Sequence, residues 1–266
     1  MRIKKKILYL RDFLNIRTAV LFGAVLLSLT GCGAKEEAEK EAAPAGPDYV
    51  IGVEADNAPY YAADASGNVS GLYVDLMDCL AENAGCTYAF QTMSAAEFDA
   101  MGGEGCDVFL GTMEPAAGSL SDYVQTEPFC QTGLSLLVKE GTGMSQMSDL
   151  RDRTIASRAD TGEEAFAGYL AARYDGETIV FPDGTEALGD LTGGYASAVV
   201  MDAGNAAARM QEDPGLQVLK TSEKYFSFHR LSAATDRGIP EELAAALAQM
   251  QTDGTMAALL QQYGLG

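Results

Sequence analysis

From Tyr49 to Met201 the chain alternates short β-rich runs with helical stretches, and this alternation constrains the fold more than any other feature of its 266 residues. Tyr49 to Val53 reads as a strand. A helix follows from about Tyr73 to Ala84, with Val74, Met77, Leu80, Ala81 and Ala84 on one face. Strands near Tyr88 to Phe90 and at Asp107 to Leu110 come next, then Leu134 to Val138 and Thr154 to Ser157. Glu163 to Tyr174 is helical; Ile179 to Phe181, a helix over Thr185 to Leu191 and the apolar run Ala198 to Met201 complete a second set. Strand, helix, strand in this order implies parallel sheet with right-handed crossovers, hence an α/β layer. Two sets of similar design imply two lobes. Two C-terminal helices are expected, one with Leu243, Ala246, Leu247 and Met250 on a face, the next with Met256, Leu259, Leu260 and Tyr263. Gly254 supplies the left-handed turn between them, and Thr255 is expected to cap the second.

Ahead of this body, Lys4, Lys5, Lys6, Arg11 and Arg17 precede an apolar run from Ala19 to Leu29. That run is too short to span a bilayer comfortably and long enough for a signal-peptide core. Leu29-Thr30-Gly31-Cys32 resembles the lipobox of bacterial lipoproteins. The resemblance implies that residues 1–31 are a signal peptide, that Cys32 is acylated, and that the protein is extracytoplasmic and lipid-anchored to the cell membrane. An ordinary cleaved signal or one poorly hydrophobic membrane helix is the alternative. Residues 32–47 read as a flexible tether: Gly33 to Pro47 holds no large apolar residue and cannot bury enough surface to offset its ordering entropy. Loss of residues 1–31 removes six of 18 basic and one of 38 acidic residues and moves the net charge from −20 to −25. So acidic a body lacks the cations that neutralise phosphate, which argues against nucleic acid and against lying flat on an anionic membrane. Small molecules or basic protein surfaces are the expected partners.

Cys79, Cys86, Cys106 and Cys130 lack the paired spacing of a zinc site and fall within expected helices and strands, so buried free thiols are the preferred reading, with one bridge open. No metal and no cofactor is expected. His229, the one histidine, falls on an expected crossing strand, where a structural or hinge role outweighs that of a general base. Met101 to Gly105 and Gly193-Gly194 lack the Lys and the strand–turn–helix setting of a phosphate loop, and no serine has a nucleophile-elbow motif. No catalytic residue is assigned.

Ile51-Gly52-Val53-Glu54 followed by Ala58-Pro59-Tyr60 is similar to the opening strand and Pro-aromatic turn of the family 3 extracellular solute-binding proteins, the amino-acid-type receptors of ABC importers. Gly67 to Asp75, Asp107 to Thr112, Glu127-Pro128-Phe129, Ser148-Asp149-Leu150 and Asp253-Gly254-Thr255 resemble further family segments in the same order. The resemblance implies an α/β, two-lobed periplasmic-binding-protein-like fold (type II) with two hinge strands, near Leu136 to Lys139 and Tyr225 to Arg230. Lobe one would be 48–135 plus 230–266, and lobe two 136–229. It also implies a monomer that closes on a small-molecule ligand and presents it to an ABC permease. Two other readings stay open. One is an accessory or sensory module acting on a redox enzyme or sensor; the other is a dehydratase-like enzyme of the same fold.

In amino-acid-binding members of that family an Arg from lobe one grips the ligand carboxylate while an Asp from lobe two takes the ammonium. Asp202 matches that Asp, or else caps the turn that follows its strand. The Arg position carries Ser119, so the carboxylate clamp is missing. Arg158, just before Asp160-Thr161-Gly162 where the family has an anion loop containing Thr161, could reach a carboxylate from the other side, or could pair with Asp160 or Glu163 on the surface. Glu114 occupies a position that in the family offers a small hydroxyl, Glu54 an acidic position that can meet a basic ligand side chain, and Thr112 ends the third strand. Tyr60 and Tyr61 could wall the site, and Asn57 replaces an aromatic that commonly stacks on the ligand. Glu54, Glu114 and Asp202 together would make an anionic cleft, which favours a cationic or amine-bearing solute.

Overall fold

In the computed structural model the described residues are 46–94, 97–98, 100, 104–112, 122–159, 161–219 and 225–265. The expected Cys32 anchor, the segment before it, Glu114 and Ser119 lie outside them. Strand β1 (Tyr49–Glu54) pairs in parallel with β4 (Tyr88–Met93) and with β5 (Val108–Gly111). A two-stranded ribbon of β2 (Ala62–Ala63) and β3 (Val69–Ser70) precedes helix α1 (Leu72–Ala84). This helix buries Leu72, Tyr73, Leu76, Met77, Leu80 and Ala81, a face turned towards Tyr73 and Leu76 from the one expected, and leaves Val74 and Ala84 at its margins. Gly85 ends it in the left-handed conformation (φ 69°).

Two long strands follow a different rule. β7 (Cys130–Lys139) and β12 (Phe226–Ala234) run antiparallel, pairing Cys130–Gly133 with Phe226–His229. Beyond that stretch they part: β12 continues against β5 and β6 (Tyr123–Gln125), and β7 against β10 (Ala198–Asp202) and β11 (Leu216–Leu219). The mutual pairing therefore sits at Cys130–Gly133. Leu136–Lys139, expected at the crossing, is already inside the second sheet, because β7 begins four residues before its apolar run. In that sheet β10, β8 (Thr154–Arg158) and β9 (Glu177–Phe181) are parallel, as the alternation requires, while β7 runs antiparallel to both of its neighbours there, β10 and β11.

Period-two alternation gives each sheet two apolar faces. In the second, Leu136, Val138, Ala198 and Val200 join Phe166 and Leu170 of α2 (Gly162–Tyr174) on one side. Leu137, Val199 and Met201 join Leu191 of α3 (Gly184–Gly193) and Ala206 of α4 (Ala203–Glu212) on the other. In the first sheet Ile51, Val53, Val108, Leu110 and Leu231 pack on α1 and on α5 (Glu241–Asp253) and α6 (Thr255–Gln262). Gly52 points to the opposite face, where a Cβ would lie 2.8 Å from the Phe109 ring. Gly254 (φ 89°) separates α5 from α6; Thr255 is the first helical residue rather than the cap, and Asp253 accepts its backbone N–H at 2.9 Å.

The four thiols of the described residues are free. Cys79 lies in α1 and Cys130 opens β7, but Cys86 and Cys106 lie in the connections that follow α1 and precede β5, not within elements. Cys86 sits one residue past the helix-ending glycine, where its backbone N–H bonds Ala81 O at 3.1 Å.

Candidate functional site

A cavity of about 210 Å³ opens where the parallel strands of both sheets end, the usual ligand position in open α/β sheets. Glu54 ends β1, Thr112 follows β5, Arg158 ends β8 and Asp202 ends β10. Three helices also start there: α2 after Thr161, α3 after Asp183 and α4 after Asp202. The backbone N–H groups of their first turns favour negative charge, and Glu163, Asp183 and Asp202 supply it. Asp183 accepts the Glu186 N–H at 2.8 Å and Asp202 the Gly204 N–H at 2.8 Å, each capping its helix.

Of the residues expected at the site, Glu54, Asn57, Tyr60, Thr112, Arg158, Thr161 and Asp202 border this one cavity. Tyr61 does not. It is 3% exposed and packs edge-on against Phe90, with centroids 5.1 Å apart, because consecutive residues after the turn face opposite ways and only Tyr60 faces the opening.

Asp202 does more than cap. Its carboxylate also accepts the hydroxyls of Tyr60 and Thr132, so groups from both sheets and a crossing strand meet on one buried side chain. Thr132 Oγ1 lies 3.1 Å from His229 Nε2, and the Tyr73 hydroxyl lies 2.7 Å from His229 Nδ1. With Tyr73 donating to Nδ1 and Nε2–H donating to Thr132, the line of hydrogen bonds ends on Asp202. Burial drives the His229 pKa down to about 4, opposed in part by the charge of Asp202, so the ring is neutral at pH 7. The same burial, with Asp202 alongside, holds the Tyr60 phenol far above its ordinary value. Gly204 makes the arrangement sterically feasible: a Cβ there would lie 2.3 Å from the Tyr60 hydroxyl.

Nearby, Arg158 donates to Glu54 at 2.7 Å, with side chains only 11% and 17% exposed. Asn205 donates to Asn57 Oδ1 at 2.8 Å and to the Ala58 carbonyl at 2.7 Å, and Arg209 reaches the Asp56 carbonyl at 3.3 Å. Glu163 accepts the Asp202 backbone N–H at 3.1 Å. Its pKa is pushed up to about 7, first by removal from water, against the pull of Arg158, with Asp202 and Glu54 adding repulsion. Among the described residues no cluster of three or more His, Cys, Asp or Glu side chains is placed to hold a metal.

Sequence reasoning missed Thr132, Glu163 as a cavity carboxylate, Asp183, Asn205 and Arg209. Asn205 and Arg209 carried one usable signal, since Asn205 lies three residues and Arg209 seven beyond Asp202, on the helix that Asp202 caps. Thr132 carried none, because it reaches the site only through the pairing of β7 with β12.

Two α/β halves joined by paired crossing strands, with a polar cavity at their strand ends, define a type II periplasmic-binding-protein-like fold. The chain belongs to the bacterial extracellular solute-binding proteins, family 3, whose family model matches residues 49–266. A probable histidine-binding protein of Neisseria gonorrhoeae is 23% identical over 198 residues, which is 71% of each chain. Among solved structures, an ancestral arginine-binding protein bound to arginine superposes with a TM-score of 0.69 at 21% identity, over 81% of this chain and 97% of that one. An arginine 3rd transport system periplasmic binding protein from Legionella pneumophila gives 0.71 at 17%, over 82% and 100%. An ancestral amino acid-binding protein, a precursor of cyclohexadienyl dehydratase, gives 0.66 at 22%, over 81% and 94%.

Proposed function

We propose that this protein is the lipid-anchored receptor of an ABC importer, held at the membrane by Cys32 and closing two lobes, 48–135 plus 230–266 and 136–229, on a cationic, amino-acid-like solute. One observation carries the reading of the ligand: the cavity is bordered by the carboxylates of Glu54, Asp56, Glu163, Asp183 and Asp202 against the guanidinium groups of Arg158 and Arg209. Carboxylates gathered in low dielectric repel one another, and a cation entering the cavity relieves that repulsion. The name of one neighbour, an ancestral arginine-binding protein, agrees in charge, and that of the probable histidine-binding relative agrees with a nitrogen-bearing amino-acid side chain. The ligand ammonium takes the place of the Tyr60 hydroxyl at Asp202 as the lobes turn about the paired strands.

Binding without chemistry is the reading for this cavity. His229 is 0% exposed and both ring nitrogens are engaged within the protein, which leaves it unsuited to proton transfer with a solute. The test is a thermal-shift screen of amino acids, polyamines and quaternary amines. A ligand at about 100 times its dissociation constant adds about 2.7 kcal/mol of stability. Stabilisation by basic amino acids is expected; stabilisation confined to anions lacking an amine overturns the proposal.

A further inference from the structure

The turn after β1 and the helix α4 border the cavity from opposite halves, and they bond directly to each other. Nδ2 of Asn205 donates to Asn57 Oδ1 at 2.8 Å and to the Ala58 carbonyl at 2.7 Å. One helical turn further on, Arg209 donates to the Asp56 carbonyl at 3.3 Å while its other terminal nitrogen holds Glu212 at 3.0 Å. Residues four apart share a helix face, so the donors of α4 meet two carbonyls spaced two residues apart in the turn. Each surface is shaped by its own half. Within the turn the Asn57 carbonyl accepts the N–H groups of Tyr60 and Tyr61 at 2.8 and 2.9 Å, and the Pro59 and Tyr60 carbonyls accept the first N–H groups of α1 at 3.0 and 2.8 Å. Helix α4 is fixed by its Asp202 cap and by Ala206 in the core of the second sheet.

From this geometry we infer that Asn205 and Arg209 are positioning residues: with the turn at Asp56–Ala58 they form a clasp that holds the two lobes together with or without a solute, and so set how fast solutes enter and leave rather than how tightly they are held. Every bond of the clasp runs between protein groups, and both of its faces are preformed, so closing it requires little ordering. Its free energy enters the closed form alike whether or not a solute lies inside, and it cancels from the difference that fixes affinity. The rates do not share in that cancellation. Entry and release both require the halves to part, and the clasp lowers the fraction of molecules parted at any moment. Losing the two hydrogen bonds of Asn205 shifts the open-to-closed ratio by about tenfold.

This inference rests on the two-lobed receptor proposed above but not on the charge of its solute, and the experiment keeps the two apart. Energy transfer between dyes coupled to unnatural residues at Ser66, in the turn of the β2–β3 ribbon, and Glu186, on α3, follows lobe separation in the full chain without solute; both sites are exposed. Stopped-flow mixing with L-arginine then measures exchange. Two variants attack the clasp differently. Asn205→Ala removes its donor, whereas Gly204→Ala leaves every donor in place and sets a methyl group against the Tyr60 hydroxyl, a clash that exists only while the halves are together. Both are expected to lower energy transfer in the solute-free protein, and Gly204→Ala decides the question if Asn205→Ala does not fold. In Asn205→Ala arginine should associate and dissociate about tenfold faster, with little change in its dissociation constant. Transfer unchanged in both variants overturns the clasp. So does an arginine dissociation constant raised about tenfold with association unchanged, because the clasp would then form only around a solute. Failure of L-arginine to bind any of the three proteins overturns the cationic reading instead, and energy transfer still decides the clasp.

Discussion

The two halves of the molecule build their sides of the cavity by different means. The first half holds the Tyr60 hydroxyl on a platform of rings, beside the strand-end carboxylate of Glu54. Tyr60 stacks on Tyr73 at 5.5 Å between centroids and leans on His229 at 4.4 Å, and Phe129 closes the group edge-on to Tyr73 at 6.4 Å. The second half uses strand ends and helix starts, where Glu163, Asp183 and Asp202 face the positive ends of α2, α3 and α4. A hydroxyl carried on stacked rings depends on volume, whereas a carboxylate at a helix start depends on charge. Substitutions should therefore injure the two sides in different ways.

The largest effect is expected from Tyr73→Ala, which empties a fully buried ring site and removes the hydrogen bond to His229. A loss of about 3–5 kcal/mol in urea unfolding is expected; a loss below about 1 kcal/mol would break the account of a stiff ring platform. Next comes the acid response of His229. Its folded pKa, about 4, lies below the unfolded value near 6.5, so its contribution to stability is complete above pH 6.5 and is lost as the pH falls towards 4. Relative to His229→Gln, the wild type should lose on the order of 3 kcal/mol between pH 7.5 and 4. Urea midpoints at the two pH values check this, and parallel curves for the two proteins would refute it.

On the other side of the cavity, Asp202→Asn keeps the shape and removes the charge that Tyr60, Thr132 and the Gly204 amide share. A loss of about 1.5–3 kcal/mol is expected at pH 7 from weakened charged hydrogen bonds. Glu163 responds to pH in the opposite sense to His229. Its folded pKa, about 7, lies above the unfolded value near 4.5, so its stabilising share is present below pH 4.5 and is lost as the pH rises through 7. Glu163→Gln should unfold at higher urea than wild type at pH 8 and show little advantage at pH 5. The same order at both pH values would mean that the charge is not what matters there. Smallest of all is Arg151→Ala. Its ion pair with Asp175 spans 2.5 Å, but both side chains are more than 60% exposed, so a change within about 1 kcal/mol is expected.

The sequence carried most of the architecture, since strand β1, the buried β10 and the amphipathic C-terminal helices obey local periodicities that need no tertiary information. The crossing strands were harder. Thr132 and His229 are buried polar residues, and each interrupts the apolar pattern that would have marked the start of β7 and the middle of β12. In the cavity, Glu54, Arg158 and Asp202 were legible through the resemblance to the family 3 proteins, whose motif order places each of them at a ligand-binding position. Their partners were not. Thr132 is 70 residues from Asp202 and Arg158 is 104 from Glu54, and only the pairing of distant segments joins them. Tyr61 misled for a related reason: composition shows two adjacent tyrosines, and only the backbone decides which of them faces the opening.

The register of β7 on β12 has a modular consequence. Gly133 and Phe226 are direct partners across that pair, so everything between them departs and returns at adjoining points. The second half is thus spliced into the first as an insert with neighbouring ends. A tight hairpin turn joining Gly133 to Phe226 would bridge the gap left by its excision, making this spot the natural seam for grafting another second half onto the same base.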